Sequence, residues 1–109
     1  NVKYPDKLPG WVDKYKVQMQ YKGLRNALIS TRKYCFGDIT VLNYKRLDSL
    51  KKKVLLIWGK EDRTVPFNFS DSLRKVLAVE FFPVDDSRHL PHLEKPALVN
   101  QKIISFLKE

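Results

Sequence analysis

Val54-Leu55-Leu56-Ile57-Trp58-Gly59-Lys60-Glu61-Asp62-Arg63-Thr64-Val65-Pro66 is the stretch on which the fold turns. Its first five residues are apolar and rich in β-formers, and Gly59 closes them. An apolar run that short, without alternation, reads as a strand covered on both faces, as in a parallel sheet. Downstream, Asn68 or Ser70 is placed to cap a helix whose apolar face is Leu73, Val76 and Leu77. Val79-Glu80-Phe81-Phe82-Pro83-Val84 reads as a second strand, and Pro83, which has no N–H to donate, predicts that pairing ends near it. Pro96 suits a first helical turn and opens a last helix with Val99, Ile103, Phe106 and Leu107 inward. Strand, helix, strand, helix with short connections is a βαβα unit of an α/β protein.

Upstream of that unit the periodicity changes. Residues 1–9 are polar with Pro5 and Pro9 and read as an irregular lead-in. Between Gly10 and Tyr21, Trp11, Tyr15 and Met19 fall on one helical face. After Gly23, the spacing of Leu24, Ala27, Leu28, Thr31 and Cys35 predicts a second amphipathic helix ending at Gly37-Asp38. Residues 39–53 are mixed, and Leu42, Leu47 and Leu50 fit either a short helix or a packed loop. Two parallel strands cannot cover their own faces and edges, so the chain reads as the end of a bigger sheet.

Composition bounds the rest. The 109 residues fit one small domain and exclude separate cofactor and substrate lobes. With 43% hydrophobic and 30% charged residues the chain is globular in composition. One cysteine, Cys35, excludes a disulfide framework and a multi-cysteine metal site. The longest apolar run is far short of the ~20 residues of a membrane span, and no secretory leader pattern opens the chain. An intracellular setting is therefore expected. The chain begins at Asn1 and not at Met, which points to sequence upstream. Net charge is +9, yet the only basic run is Lys51-Lys52-Lys53, with no aromatic interleaving, so nucleic-acid binding is not expected.

Each strand is followed by a polar loop, Gly59–Pro66 after the first and Asp85–Pro96 after the second. Ligands of open α/β sheets bind at the carboxyl ends of strands, and adjacent parallel strands set such loops side by side. A carboxylate from one loop can then accept the Nδ1 proton of an imidazole from the other, leaving Nε2 as a general base. From residues alone, Asp62 and Glu61 compete as the carboxylate, and His89 and His92 as the imidazole. Gly and Asp after a strand are also ordinary turn chemistry. His89, His92 and Asp85 or Asp86 are conceivable zinc ligands, but H-x-x-H lacks a third well-spaced partner, and neither metal nor cofactor is expected.

The segments LLIWGKEDRTVP (55–66) and HLPHLEKP (89–96), with the final helix, resemble the C-terminal end of the α/β-hydrolase fold, within its serine esterase and lipase-like hydrolases. The likeness is good over residues 50–109 and looser in the helical half. It implies that residues 1–109 are a C-terminal portion of such a domain. Residues 1–50 would form its helical lid-to-sheet region, and 51–109 the part carrying acid and histidine. In that family a G-x-x-D loop supplies the acid and a G-H-x-P-H-x-E-x-P loop the histidine. The resemblance thus assigns Asp62 as acid and His89 as base, in the family's chain order, with Glu94 and Pro96 starting the last helix.

Two features depart from the pattern. Arg88 stands where the family usually has Gly, and no G-x-S-x-G nucleophile elbow occurs, since no two glycines are four residues apart. Ser30, Ser49, Ser70, Ser72, Ser87 and Ser105 lack an elbow, and Cys35, at helical spacing, reads as a buried structural thiol. Trp11, Tyr15 and Met19 could line an acyl pocket, although such a stripe is more often core. The expected activity is cleavage of a small ester by a Ser-Asp-His triad whose Ser lies outside the chain, so these residues alone are expected to be inactive. Alternatives are an epoxide hydrolase or haloalkane dehalogenase with an Asp nucleophile, or a non-catalytic module completing its sheet by self-association.

Overall fold

A computed structural model describes residues 2–34 and 38–109. Its elements are α1 (Trp11–Met19), α2 (Leu24–Tyr34), α3 (Asp38–Ser49), β1 (Leu55–Gly59), α4 (Phe69–Arg74), β2 (Glu80–Val84), α5 (Pro91–Glu94) and α6 (Pro96–Lys108), with a single 3₁₀ turn at Pro5–Lys7. The chain divides into two compact units, residues 4–43 and residues 1–3 with 44–109. Cys35 and the expected helix end at Gly37 lie outside the described residues.

In the larger unit β1 and β2 pair in parallel, Leu55 opposite Glu80 through Gly59 opposite Val84. Pairing takes in Pro83 and ends one residue beyond it, at Val84, near the proline as expected. Glu80 N–H donates to Val54 C=O, and Val84 C=O accepts from Lys60 N–H. Polar groups alternate sides along a strand, so Glu80, Phe82 and Val84 face β1. Pro83 turns its missing N–H to the outer side, where a sheet edge tolerates proline. By the same alternation Leu55 and Ile57 direct their N–H and C=O away from β2, to the other edge of β1.

Side-chain alternation gives this sheet two covered faces. Phe81 meets the Phe67 ring, centroids 5.9 Å apart, and the Arg74 guanidinium at 4.3 Å, on the α4 side. Phe82 and Glu80 face the opposite way: Lys102 of α6 reaches the Phe82 ring at 5.9 Å and pairs with Glu80. Helices on both faces are what an apolar, non-alternating strand demands. Among the described residues, Leu77, Val84, Pro91 and Val99 are buried apolar side chains.

Several local expectations need correction. α4 ends at Arg74, so Val76 and Leu77 lie in the following turn. Asn68 has helical φ −63° and ψ −18° and makes no side-chain cap bond. Of the two readings open for residues 39–53, the helix is the one found, over residues 38–49, which neither Gly nor Pro interrupts. Leu107 is 75% exposed, not inward, while Val99 is 1% exposed. Truncating Val99 to Ala should cost about 2 kcal/mol of stability, because it leaves a cavity. Leu107→Ala should stay within about 0.5 kcal/mol, as for other exposed positions. Equal losses in chemical denaturation would refute this placement of the core.

In the smaller unit α1 and α2 are joined by a turn in which Gly23 takes φ +90°, a conformation open to glycine at little cost. The stripe of Trp11, Tyr15 and Met19 is not core: these side chains are 46%, 54% and 47% exposed. No residue of α1 or α2 is buried. Helical periodicity specifies which residues share a face, but not that anything covers it.

Candidate active site

The two polar loops leave the carboxyl ends of β1 and β2 side by side because the strands are parallel and in register through their last residues. Backbone bonds then lace them together. Lys60 N–H donates to Val84 C=O and Glu61 N–H to Ser87 C=O, each at 2.9 Å. Gly59 is what permits this approach. A Cβ there would lie 1.9 Å from the Arg88 carbonyl oxygen and 2.6 Å from that of Ser87.

Within the first loop Asp62 orders its own turn. Its Oδ1 accepts the N–H groups of Thr64 at 2.7 Å and Val65 at 3.0 Å, an Asx-type arrangement. The Trp58 indole N–H adds a bond to Val65 C=O at 3.2 Å. The other carboxylate oxygen, Oδ2, faces the second loop, 2.8 Å from His89 Nδ1.

The histidine loop is held from the other side. Arg88 N–H donates to Glu94 Oε2 at 2.7 Å, across the short helix α5, which the periodicity does not reveal. Arg88 occupies the family's glycine position without positive φ, which among described non-glycine residues occurs at Lys51 and Asp86. A glycine is not needed at position 88; the close approach is met by Gly59 instead.

The Asp62 side chain is 5% exposed and that of His89 38%. Burial pushes the Asp62 carboxyl upward, but the His89 hydrogen bond and the Val65 and Thr64 N–H groups outweigh it, so it titrates below its ordinary range. Asp62 is thus a carboxylate at neutral pH. It accepts the Nδ1 proton and leaves Nε2 unprotonated, the tautomer of a general base.

The depressed Asp62 value also carries a pH signature. A carboxyl whose folded pKa lies below its unfolded one stabilises the fold above the unfolded value. That contribution is lost as pH falls through the folded value. Below about pH 4, Asp62→Asn should flatten the decline of stability with acid, since an unfolded-chain aspartate titrates near 3.9. Parallel acid-denaturation curves for the two proteins would contradict it.

The rival residues are placed elsewhere. The Glu61 carboxylate pairs with Lys3 Nζ at 2.5 Å, and His92 is exposed. Asp85 pairs with Lys60 and Asp86 with Lys95, both at 2.6 Å. Among the described residues no three His, Cys, Asp or Glu side chains gather to hold a metal. A groove of about 400 Å³ lined by Asp48, Lys51–Lys53, Glu80 and Phe106 lies at the amino ends of the strands, away from Asp62 and His89.

Sequence periodicity misses Gly59 and Glu94 as parts of the site. The signal for Glu94 is its fixed spacing after His89, which by itself suggests only the start of a helix.

Comparison with known proteins agrees with this architecture. The chain is 30% identical over 98 residues to the uncharacterized hydrolase YugF of Bacillus subtilis, covering 89% of this chain. It spans about a third (35%) of that relative's length. A crystal structure of a predicted CIB-like hydrolase from Thermoplasma acidophilum superposes with a TM-score of 0.58 at 21% identity. That match covers 74% of this chain and 44% of the other. No family model matches the sequence. No described helix is long and apolar enough to cross a membrane.

Proposed function

We propose that this chain, which is part of an α/β-hydrolase-fold protein, supplies the acid and the base of a Ser-Asp-His triad that cleaves carboxylic esters. The observation that carries the reading is the 2.8 Å contact of Asp62 Oδ2 with His89 Nδ1 at the carboxyl ends of adjacent parallel strands. Sequence outside these residues contributes the serine and the oxyanion-hole donors, and continues the sheet from the open edge of β1.

In the complete protein His89 Nε2 takes the proton from the serine hydroxyl as its oxygen bonds to the ester carbon. The resulting imidazolium is stabilised by the Asp62 carboxylate. His89 then returns the proton to the departing alkoxide, and an acyl-serine remains. Water repeats the sequence: its proton passes to His89, its oxygen attacks the acyl carbon, and the serine recovers its hydrogen. In this scheme residues 51–109 carry the pair.

The test is turnover of a short-chain p-nitrophenyl ester by the complete protein, with and without His89→Ala. Loss of ester cleavage together with loss of fluorophosphonate labelling supports the reading. Ester turnover that survives the substitution overturns it. Turnover of epoxides or haloalkanes in place of esters would assign the nucleophile as a carboxylate instead.

A further inference from the structure

We propose that Lys3 is a positioning residue that clamps the acid loop to the histidine loop, a role that rests on reading Asp62 and His89 as the reacting pair. Residues 1–9 look in sequence like an irregular lead-in, yet Val2 and Lys3 belong to the unit that holds the site. Lys3 Nζ binds Glu61 Oε1 at 2.5 Å and also the Asp86 carboxylate. Lys3 N–H donates to Glu94 Oε1 at 3.3 Å, and Arg88 Nη1 donates to Val2 C=O at 3.3 Å.

These anchors flank the reacting pair. Glu61 directly precedes Asp62, and Arg88 directly precedes His89. One ammonium group therefore bridges both loops one to three residues from the atoms whose separation matters.

Charge explains why a cation is needed there. Glu61, Asp86 and Glu94 all meet Lys3, and like charges in proximity push apart. Lys3 binds both of the first two, taking Oδ1 of Asp86, and Lys95 takes Oδ2 of Asp86 at 2.6 Å. The Lys3 side chain is 21% exposed, and the Asp86 and then the Glu61 carboxylate hold its ammonium protonated well above the usual lysine range. Remove that charge and the carboxylates repel across the junction, which lengthens the Asp62–His89 contact without touching either residue.

The experiment is site-resolved amide hydrogen exchange on the complete protein and its Lys3→Met, Lys3→Arg and Glu61→Gln variants. Glu61 N–H, bonded to Ser87, and Arg88 N–H, bonded to Glu94, report the junction. The N–H groups of Leu56 and Trp58, which face β2, report the sheet. In Lys3→Met the two junction amides should exchange about tenfold faster, with the sheet amides changed by less than about twofold. Lys3→Arg should restore protection, since it keeps the charge. Glu61→Gln, which cuts one leg of the clamp, should accelerate Glu61 exchange about threefold, and decides the matter if Lys3→Met does not fold.

Unchanged junction amides, equal acceleration in the sheet, or failure of arginine to rescue would overturn the clamp. The complete protein separates this from the triad itself. Lys3→Met should lower kcat with KM little altered, whereas ester turnover surviving His89→Ala refutes the triad and leaves the exchange result standing.

Discussion

Asp62→Asn in the complete protein should lower ester turnover by about 10⁴, the loss seen when a triad carboxylate becomes an amide. The substitution is nearly isosteric, and the amide oxygen can still accept the Thr64 and Val65 N–H groups that Oδ1 accepts at 2.7 and 3.0 Å. The loop therefore keeps its shape. What changes is the partner at His89 Nδ1. An amide NH₂ facing that nitrogen is a donor, so the ring carries its proton on Nε2 and has no lone pair there for the serine proton. The imidazolium formed later also loses its neighbouring charge. Because binding groups are untouched, kcat should take the loss and KM should move little. Near wild-type kcat for Asp62→Asn would remove Asp62 from the mechanism.

Gly59→Ala should destabilise the fold by about 3 kcal/mol, at the upper end of overpacking costs. The added methyl carbon would sit 1.9 Å from the Arg88 carbonyl oxygen and 2.6 Å from that of Ser87. Both are backbone atoms, so no rotamer change relieves the overlap; the histidine loop itself has to move. That motion breaks the Glu61 N–H bond to Ser87 and draws His89 from Asp62, so the variant should lose both stability and the ordered pair. Gly23→Ala is the control. Gly23 has φ +90°, but nothing lies within 4 Å of the point its methyl carbon would occupy, so only backbone strain of about 1 kcal/mol is expected. Chemical denaturation of both variants measures the difference. A Gly59→Ala loss no larger than that of Gly23→Ala would show that the loops do not need this approach.

The strand–helix–strand–helix unit is legible in the sequence because its signals are local. A continuous apolar run between Lys53 and Gly59, and Pro96 before an amphipathic segment, depend on neighbours within one or two turns of chain. Parallel strands carry both polar loops to one end of the sheet, but spacing alone leaves Glu61 beside Asp62 and His92 beside His89 as rivals; it is the resemblance of the two loops to the α/β-hydrolase pattern that singles out Asp62 and His89. The helix over residues 38–49 is harder to read because its apolar side chains follow no clean stripe, so backbone propensity decides it.

What the chain order alone determined is therefore the existence of β1, α4, β2 and α6, and the two polar loops that follow the strands. Only the tertiary structure decided that Pro83 stays in the ladder, since that depends on which side of β2 its absent N–H faces. Contacts between distant segments likewise made Gly59 a site of backbone contact, tied Glu94 to the Arg88 amide, and brought Lys3 to Glu61, 58 residues away. The physical reason is range. Helical and strand preferences are energies of nearby residues, whereas loop-to-loop distances follow from how whole elements pack.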